Sequence, residues 1–277
     1  MSGAVREEVV RARAGLLDAL DALQDHLDAL IIVGAQAVYL HTGEIQVALA
    51  EYTTDGDVAL DPQLLSSNPL IEEAMRAARF APEMRESAIG TWISPHGVPV
   101  DLMVPEALAG KGRRSVRVPP HSPRSMRRSR GLEAALVDKS RMVIDSMEPE
   151  RDPRRVPVAV AGPGALLVAK LHKINDRISY PSRLDNKDAH DIYRILRAVD
   201  TDRLIRTICD LMTHELSAEI TGEALVYLRE LFAEGAHAQG SRMAGAAEDI
   251  VGDPVTVAES VALLAQDLVM GLDASAL

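Results

Sequence analysis

The apolar positions change period several times along the chain. Leu16, Leu20, Leu23 and Leu27 recur at alternating steps of four and three, predicting an amphipathic helix over roughly residues 5–28, packed on its own sheet. Leu30-Ile31-Ile32-Val33 is a short continuous apolar run, the pattern of a buried strand, and it stops at Gly34. Residues 35–41 (AQAVYLH) predict a brief helix closed by Gly43. Residues 53–61 (TTDGDVALD) predict a second strand, ended by Pro62. A helix over 69–79, capped by Ser67 or Asn68 with Pro69 in its first turn, comes next. Two strand-like pieces, 89–94 and 98–104, are joined by Pro95-His96-Gly97 as a hairpin. Residues 132–145 and 156–161 predict further strands or irregular core, and the proline-rich, charged stretch 149–157 predicts a loop.

Past Ala161-Gly162-Pro163 the period becomes helical. Pro163 is placed to start a helix over 164–179, and 187–199 carries a buried stripe of Ile192, Ile195, Leu196 and Val199. Helical spacing continues through 202–214, 217–233 and 255–270, while the Ala/Gly-rich stretch 234–248 predicts a mobile connector. The expected organisation is an α+β half over 1–162 followed by a helical half over 163–277.

Composition changes this picture little. Hydrophobic residues make up 47% and charged residues 26%, which suits a packed globular protein. Aromatics are only 3%, so Trp92, Phe80 and Phe232 are the scarce large anchors. Cys209 is the single cysteine, which excludes an intrachain disulfide and fits a reducing compartment. The charged N-terminal stretch has no apolar core of a signal peptide, and no run is expected to span a membrane, so a cytoplasmic location is expected. The net charge of −11 argues against general coating of nucleic acid. Residues 111–130 are the exception, with eight Lys or Arg and no acid.

The candidate chemistry lies in the acids. A period of two puts Asp55 and Asp57 on one face of their strand, and Asp101 falls in a neighbouring strand. Three carboxylates at one sheet edge repel unless a dication lies between them, and oxygen donors of this kind suit Mg2+ (or Mn2+). The competing reading is that Asp55-Gly56 is a hairpin turn. Gly34 either lets the backbone approach a phosphate ahead of a helix N-terminus, or serves only a tight strand-to-helix turn. Lys170, Lys173 and Arg177 share a helix face and are either phosphate ligands or a solvated basic face. Asp188 lies in the first turn of the next helix, and Asp191 stands four residues from Lys187, the spacing of a weak surface pair. His172 and His190 are read as ordinary helix positions. Arg113, Arg114, Arg127 and Arg128 are candidates to contact an RNA backbone, or belong to a flexible loop that offsets the acidic remainder.

Gly34-Ala35, Asp55-Gly56-Asp57 and Asp101, in this order, resemble the nucleotidyltransferase fold of the polymerase-β type. Further on, LLVAKLHKINDR (166–177) followed by LDNKDAHDIYRIL (184–196) is similar to the AbiEii-type toxins, nucleotidyltransferase-like partners in bacterial toxin–antitoxin pairs. The resemblance covers most of residues 30–200. It departs from the family's pattern at Ala35, where a second Gly or a Ser is common, at Gly56 between the acids, and at Glu51, where an Arg commonly stands. The resemblance implies a nucleotidyltransferase-type mixed sheet with flanking helices and a helical C-terminal domain, the active cleft lying between the halves. It implies transfer of NMP from an NTP (ATP, CTP, GTP or UTP) to an acceptor such as tRNA, and an antitoxin protein as partner. Asp55, Asp57, Asp101, Lys170 and Asp188 are the implied catalytic residues, the first three holding the metal, and Gly34, Ala35, Lys173 and Arg177 the nucleotide-binding ones. An antibiotic- or protein-modifying nucleotidyltransferase, or a non-catalytic nucleotide- or partner-binding module, is the alternative.

Overall fold

The computed structural model describes residues 3–43, 54–85, 88–180, 185–248 and 252–275. Glu51 and the loop around it lie outside the described residues. The chain is a mixed α/β protein, and it divides into two compact units. The first comprises residues 1–36, 52–132 and 139–161, and the second 37–51, 133–138 and 162–277.

The first unit is built on one mixed sheet. Its strands are β1 (Leu30–Ile32), β2 (Gly56–Leu60), β3 (Ala81–Pro82), β4 (Thr91–Ile93), β5 (Pro99–Pro105), β6 (Arg127–Ser129), β7 (Lys139–Asp145) and β8 (Arg155–Ala161). They lie in the order β3-β4-β5-β2-β1-β8-β7, with β6 paired to β5. β1 and β2 are antiparallel, β2 and β5 parallel, and β4 and β5 form the antiparallel hairpin expected around Pro95-His96-Gly97. β1 is buried along its whole length, as its unbroken apolar run requires.

Helix α1 (Gly3–Ala22) covers one face of this sheet, touching β2 and β5, with Leu16, Leu17, Leu20 and Leu23 buried. A Cβ at Gly15 would come within 2.6 Å of Val98, so the absence of a side chain sets how closely α1 approaches. The helix stops at Ala22, sooner than its leucine spacing suggests, and Gln24–Ala29 tightens into a 3-10 turn that carries Leu27. The long connection from β2 to β4 carries α3 (Ile71–Ala77), whose N-cap is Leu70 without any side-chain cap, so neither Ser67 nor Asn68 performs that role. Trp92 and Phe80 are buried here, and the Trp92 indole N–H donates to the Ser125 carbonyl at 2.9 Å.

Helix α2 (Gly34–Thr42) begins in the first unit and ends in the second, closed by Gly43 at φ +55 with its N–H on the Tyr39 carbonyl. In the second unit, α4 (Glu133–Val137) occupies the start of a stretch expected to be strand or irregular core. The helices α5 (Pro163–Ile178), α6 (Asn186–Ala198), α7 (Thr201–Thr213), α8 (Ala218–Leu228), α9 (Gln239–Ala246) and α10 (Pro254–Ser275) follow. The Asp138 carboxylate accepts the Ala165 N–H at 2.9 Å in the first turn of α5, and burial leaves its pKa raised despite that bond.

Two expectations fail in this unit. Residues 234–248 are not a connector: α9 is packed, with Gly240, Ser241, Met243, Ala244 and Gly245 buried. A Cβ at Gly240 would strike the Phe232 ring at 2.5 Å, and one at Gly245 the Pro254 carbonyl at 2.2 Å. The small residues that read as a linker are there because helices pass close by. The second concerns membrane-length helices. α10 is long and apolar enough to cross a bilayer by length and composition, although no such run was expected. Its Val257, Val261, Ala265, Leu268 and Leu272 are buried, and its neighbours include α6, α7, α9 and the π-helical turn Arg229–Ala233.

Candidate active site

The acids of the first unit are placed by strand register. Asp57 of β2 and Asp101 of β5 are direct parallel partners, so their side chains leave the same face of the sheet. Burial alternates through the motif: Asp55 and Asp57 are half-buried, Gly56 and Val58 fully buried. Gly56 faces Leu16 of α1 and Val100, so Asp55 and Asp57 lie on the opposite face from that helix. Asp55 sits at a bend one residue ahead of β2, and Gly56 runs on into the strand rather than completing a hairpin turn.

Gly34 closes one side of this site. It has φ +68, and a Cβ built on it would lie 2.0 Å from Asp57 Oδ2. The space a side chain would need is filled by the Asp57 carboxylate, so the glycine serves both the turn and the acid. The Asp57 carbonyl accepts the Val33 N–H at 3.0 Å, tying the strand end to the turn. The first N–H groups of α2, at Gly34 and Ala35, have no partner within the helix and offer a ready anion contact beside Asp57.

Gln36 and Thr91, which sequence reasoning missed, and Arg127, which it assigned to RNA, hold the site in place. Gln36 is buried; its Nε2 donates to the carbonyls of Asp55 at 3.0 Å and Ala12 at 3.3 Å, and its Oε1 accepts from Arg13 Nε at 2.9 Å. Thr91 Oγ1 donates to Asp101 Oδ1 at 2.5 Å, and Arg127 reaches Asp101 Oδ2 at 2.8 Å. Thr91 was legible in principle, because a hairpin centred on His96 pairs Thr91 with Asp101. Arg127 carried no such signal beyond its place in a basic run.

The donor chemistry suits a hard dication, being all oxygen. The set of three carboxylates expected from the sequence is not gathered, however. Both oxygens of Asp101 are engaged by Thr91 and Arg127, and among the described residues no group of three His, Cys, Asp or Glu is arranged to hold a metal ion. An ion placed here would take much of its shell from substrate phosphates and water.

The basic segment is a folded element. Val116, His121, Ser125 and Met126 are buried, and the Arg128 N–H donates to the Arg114 carbonyl at 3.0 Å. Arg127 and Arg128, expected to face an RNA backbone, instead turn to this unit's own acids: Arg127 to Asp101, and Arg128 to Glu106 at 3.6 Å and to the Gly110 carbonyl. Arg113 and Arg114 are exposed.

The second unit brings together the other expected site residues. Lys170 on α5 is buried, with Nζ 2.7 Å from Asp188 Oδ1 and 2.6 Å from Asp191 Oδ2 on α6. Lys173 Nζ and Arg177 Nη1 reach Asp188 at 2.9 and 3.3 Å. The three cations therefore converge on one carboxylate rather than forming a solvated face. Burial alone would lower the Lys170 pKa, but Asp188 and Asp191 outweigh it and hold the ammonium well above its ordinary value. Burial would raise Asp188, yet Lys170 and Lys173 together hold it far below the usual carboxylate range. Asp191 is not a surface partner of Lys187, because it is 3% exposed and faces Lys170. His190 is also more than an ordinary helix position: its Nε2 lies 2.8 Å from Glu248 Oε1, both buried.

No family model matches the chain, and no curated protein matches it. Among solved structures, one described as a "putative nucleotidyltransferase from H. pylori" aligns over 99% of each chain, at 11% identity and a TM-score of 0.36.

Proposed function

We propose that the protein is a nucleotidyltransferase that transfers NMP from an NTP to an acceptor hydroxyl with release of pyrophosphate. The observation that carries this reading is the Asp57 carboxylate packed on Gly34 at the start of α2, with Asp101 its register partner on the next strand. Such an arrangement offers what phosphoryl transfer needs: helix N–H groups for a phosphate, and carboxylates beside them. A divalent ion at Asp55 and Asp57 would screen the triphosphate and lower the pKa of the attacking hydroxyl. The chain's own contribution is positioning. Gln36 fixes the Asp55 backbone, Gly34 and Ala35 present N–H groups, and Thr91 and Arg127 orient Asp101. In the transfer, the acceptor hydroxyl gives its proton to solvent, its oxygen bonds to the α-phosphorus, the bond from that phosphorus to the bridging β-phosphate oxygen breaks, and pyrophosphate leaves.

The acceptor is proposed to be RNA, with tRNA first among candidates, and the biological role that of a toxin with an antitoxin partner. The likeness of residues 166–196 to AbiEii-type toxins supports this, as do the exposed Arg113 and Arg114. Lys170, Lys173, Arg177 and Asp188 are proposed to serve that activity as one preorganised cluster. One observation favours a second reading, a non-catalytic nucleotide-binding module: Asp101 is neutralised by Arg127.

Incubation with total RNA, Mg2+ and each α-labelled NTP tests the proposal. Label in RNA with the wild type and none with Asp57→Ala is the expected result. Binding of NTP without transfer to RNA, protein or small acceptor selects the second reading.

A further inference from the structure

Resting on the nucleotidyltransferase reading, we propose that Arg13 of α1 is a positioning residue for that reaction, acting through Gln36 to hold Asp55 in place ahead of β2. Asp55 stands one residue outside the strand: the ladder between β2 and β5 begins with Gly56 opposite Val100, so sheet pairing does not reach it. Gln36 supplies a tie there, its Nε2 donating to the Asp55 carbonyl at 3.0 Å and to the Ala12 carbonyl at 3.3 Å. A side-chain amide can do this in only one of its two orientations. Arg13 Nε, 2.9 Å from Gln36 Oε1, selects that one, because a guanidinium carries donors and no acceptor. Turned over, Gln36 would set its oxygen against two carbonyls and its N–H groups against a cation.

The relay joins three elements. Gln36 lies in the first turn of α2 and is 4% exposed, so water has little access to its amide. Arg13 is held at a second point, its Nη1 donating to the Asp145 carbonyl at 3.0 Å at the end of β7. Burial lowers the Arg13 pKa from its ordinary value, with the Asp145 charge opposing the shift. This cation has given up hydration to face an amide oxygen and a carbonyl, a costly arrangement for a side chain that could reach solvent instead. The contact it makes leads to the backbone of a candidate catalytic residue. A misplacement of about 1 Å in a reacting group costs up to about 10²-fold in rate, so the relay bears directly on turnover. It ends on the Asp55 backbone and not on Gly34 or Asp57, so its effect on NTP binding is the smaller one.

The test is a double-mutant cycle on the full chain, with kcat and KM for NTP measured on the NTP and acceptor that the wild type labels, and folding checked by thermal melt. Arg13→Met is expected to lower kcat about tenfold with KM within about twofold, and Arg13→Lys, which keeps a donor, to recover kcat to within about threefold of the wild type. In the Gln36→Leu background, Arg13→Met is expected to add no further loss. A folded Arg13→Met with wild-type kcat, a loss confined to KM, or losses that multiply in the double variant overturns this inference and leaves the nucleotidyltransferase reading standing. Should Arg13→Met fail to fold, Arg13→Lys takes its place in the cycle, and a loss that persists in the Gln36→Leu background overturns the inference. No transfer by the folded wild type to any acceptor overturns that reading and this inference with it.

Discussion

The two charged clusters of this protein solve opposite problems. On the sheet of the first unit, acids are concentrated on a half-buried face, with Asp101 22% exposed and its arginine partner 31% exposed. In the second unit, Lys170 and Asp188 are almost fully withdrawn from water, 6% and 3% exposed in their side chains. A buried charge is costly unless paired, so the second cluster is a structural commitment: removing one member strands the others. A partly exposed acid keeps part of its hydration and can change partners. The first cluster can therefore exchange ligands, while the second holds its geometry.

The sharpest way to break this contrast is Lys170→Met. It leaves Asp188 and Asp191 buried without their central cation and should cost about 3–5 kcal/mol of stability, read by urea unfolding. A loss below about 1 kcal/mol would place Lys170 with the adaptable, exposed group. Gly34→Ala should come next. An alanine in the left-handed region costs about 1–2 kcal/mol, and its Cβ collides with the Asp57 carboxylate as well. Activity should fall more than stability does, because the displaced group is the candidate catalytic acid; thermal melts beside transfer assays separate the two.

Acid titration sharpens the comparison further. Asp188 is held far below its ordinary value of 3.8 in the folded state. Its contribution is therefore complete above that value and is lost as pH falls below it toward the depressed folded value. Between roughly pH 4 and pH 2 the wild type should lose up to about 1.4 kcal/mol per pH unit on this account. Asp188→Asn should show a correspondingly shallower acid limb in unfolding measured against pH.

The same contrast explains what was legible in the sequence. The shared face of Asp55 and Asp57 follows from strand periodicity, and the Gly34 turn from an apolar run that stops at a glycine. Both are local patterns with a fixed geometric consequence. The pairing of Arg127 with Asp101 escaped because a run of basic residues does not say which of them fold back, and β6 has only three residues. Asp191 escaped because its spacing from Lys187 equally fits a surface pair, and only the packing of α5 on α6 shows the face turned inward. Residues 234–248 misled because alanine and glycine mark both loose linkers and tight helix crossings, which composition alone does not separate.

The central claim is that Asp57 on its glycine turn holds a metal-bound nucleotide. Calorimetric titration of a non-hydrolysable NTP analogue into wild type and Asp57→Asn, with and without Mg2+, measures it most directly. The account predicts binding to the wild type that requires Mg2+ and falls at least about 10²-fold in a folded Asp57→Asn. Equal affinity in the two proteins, or binding indifferent to Mg2+, would contradict it.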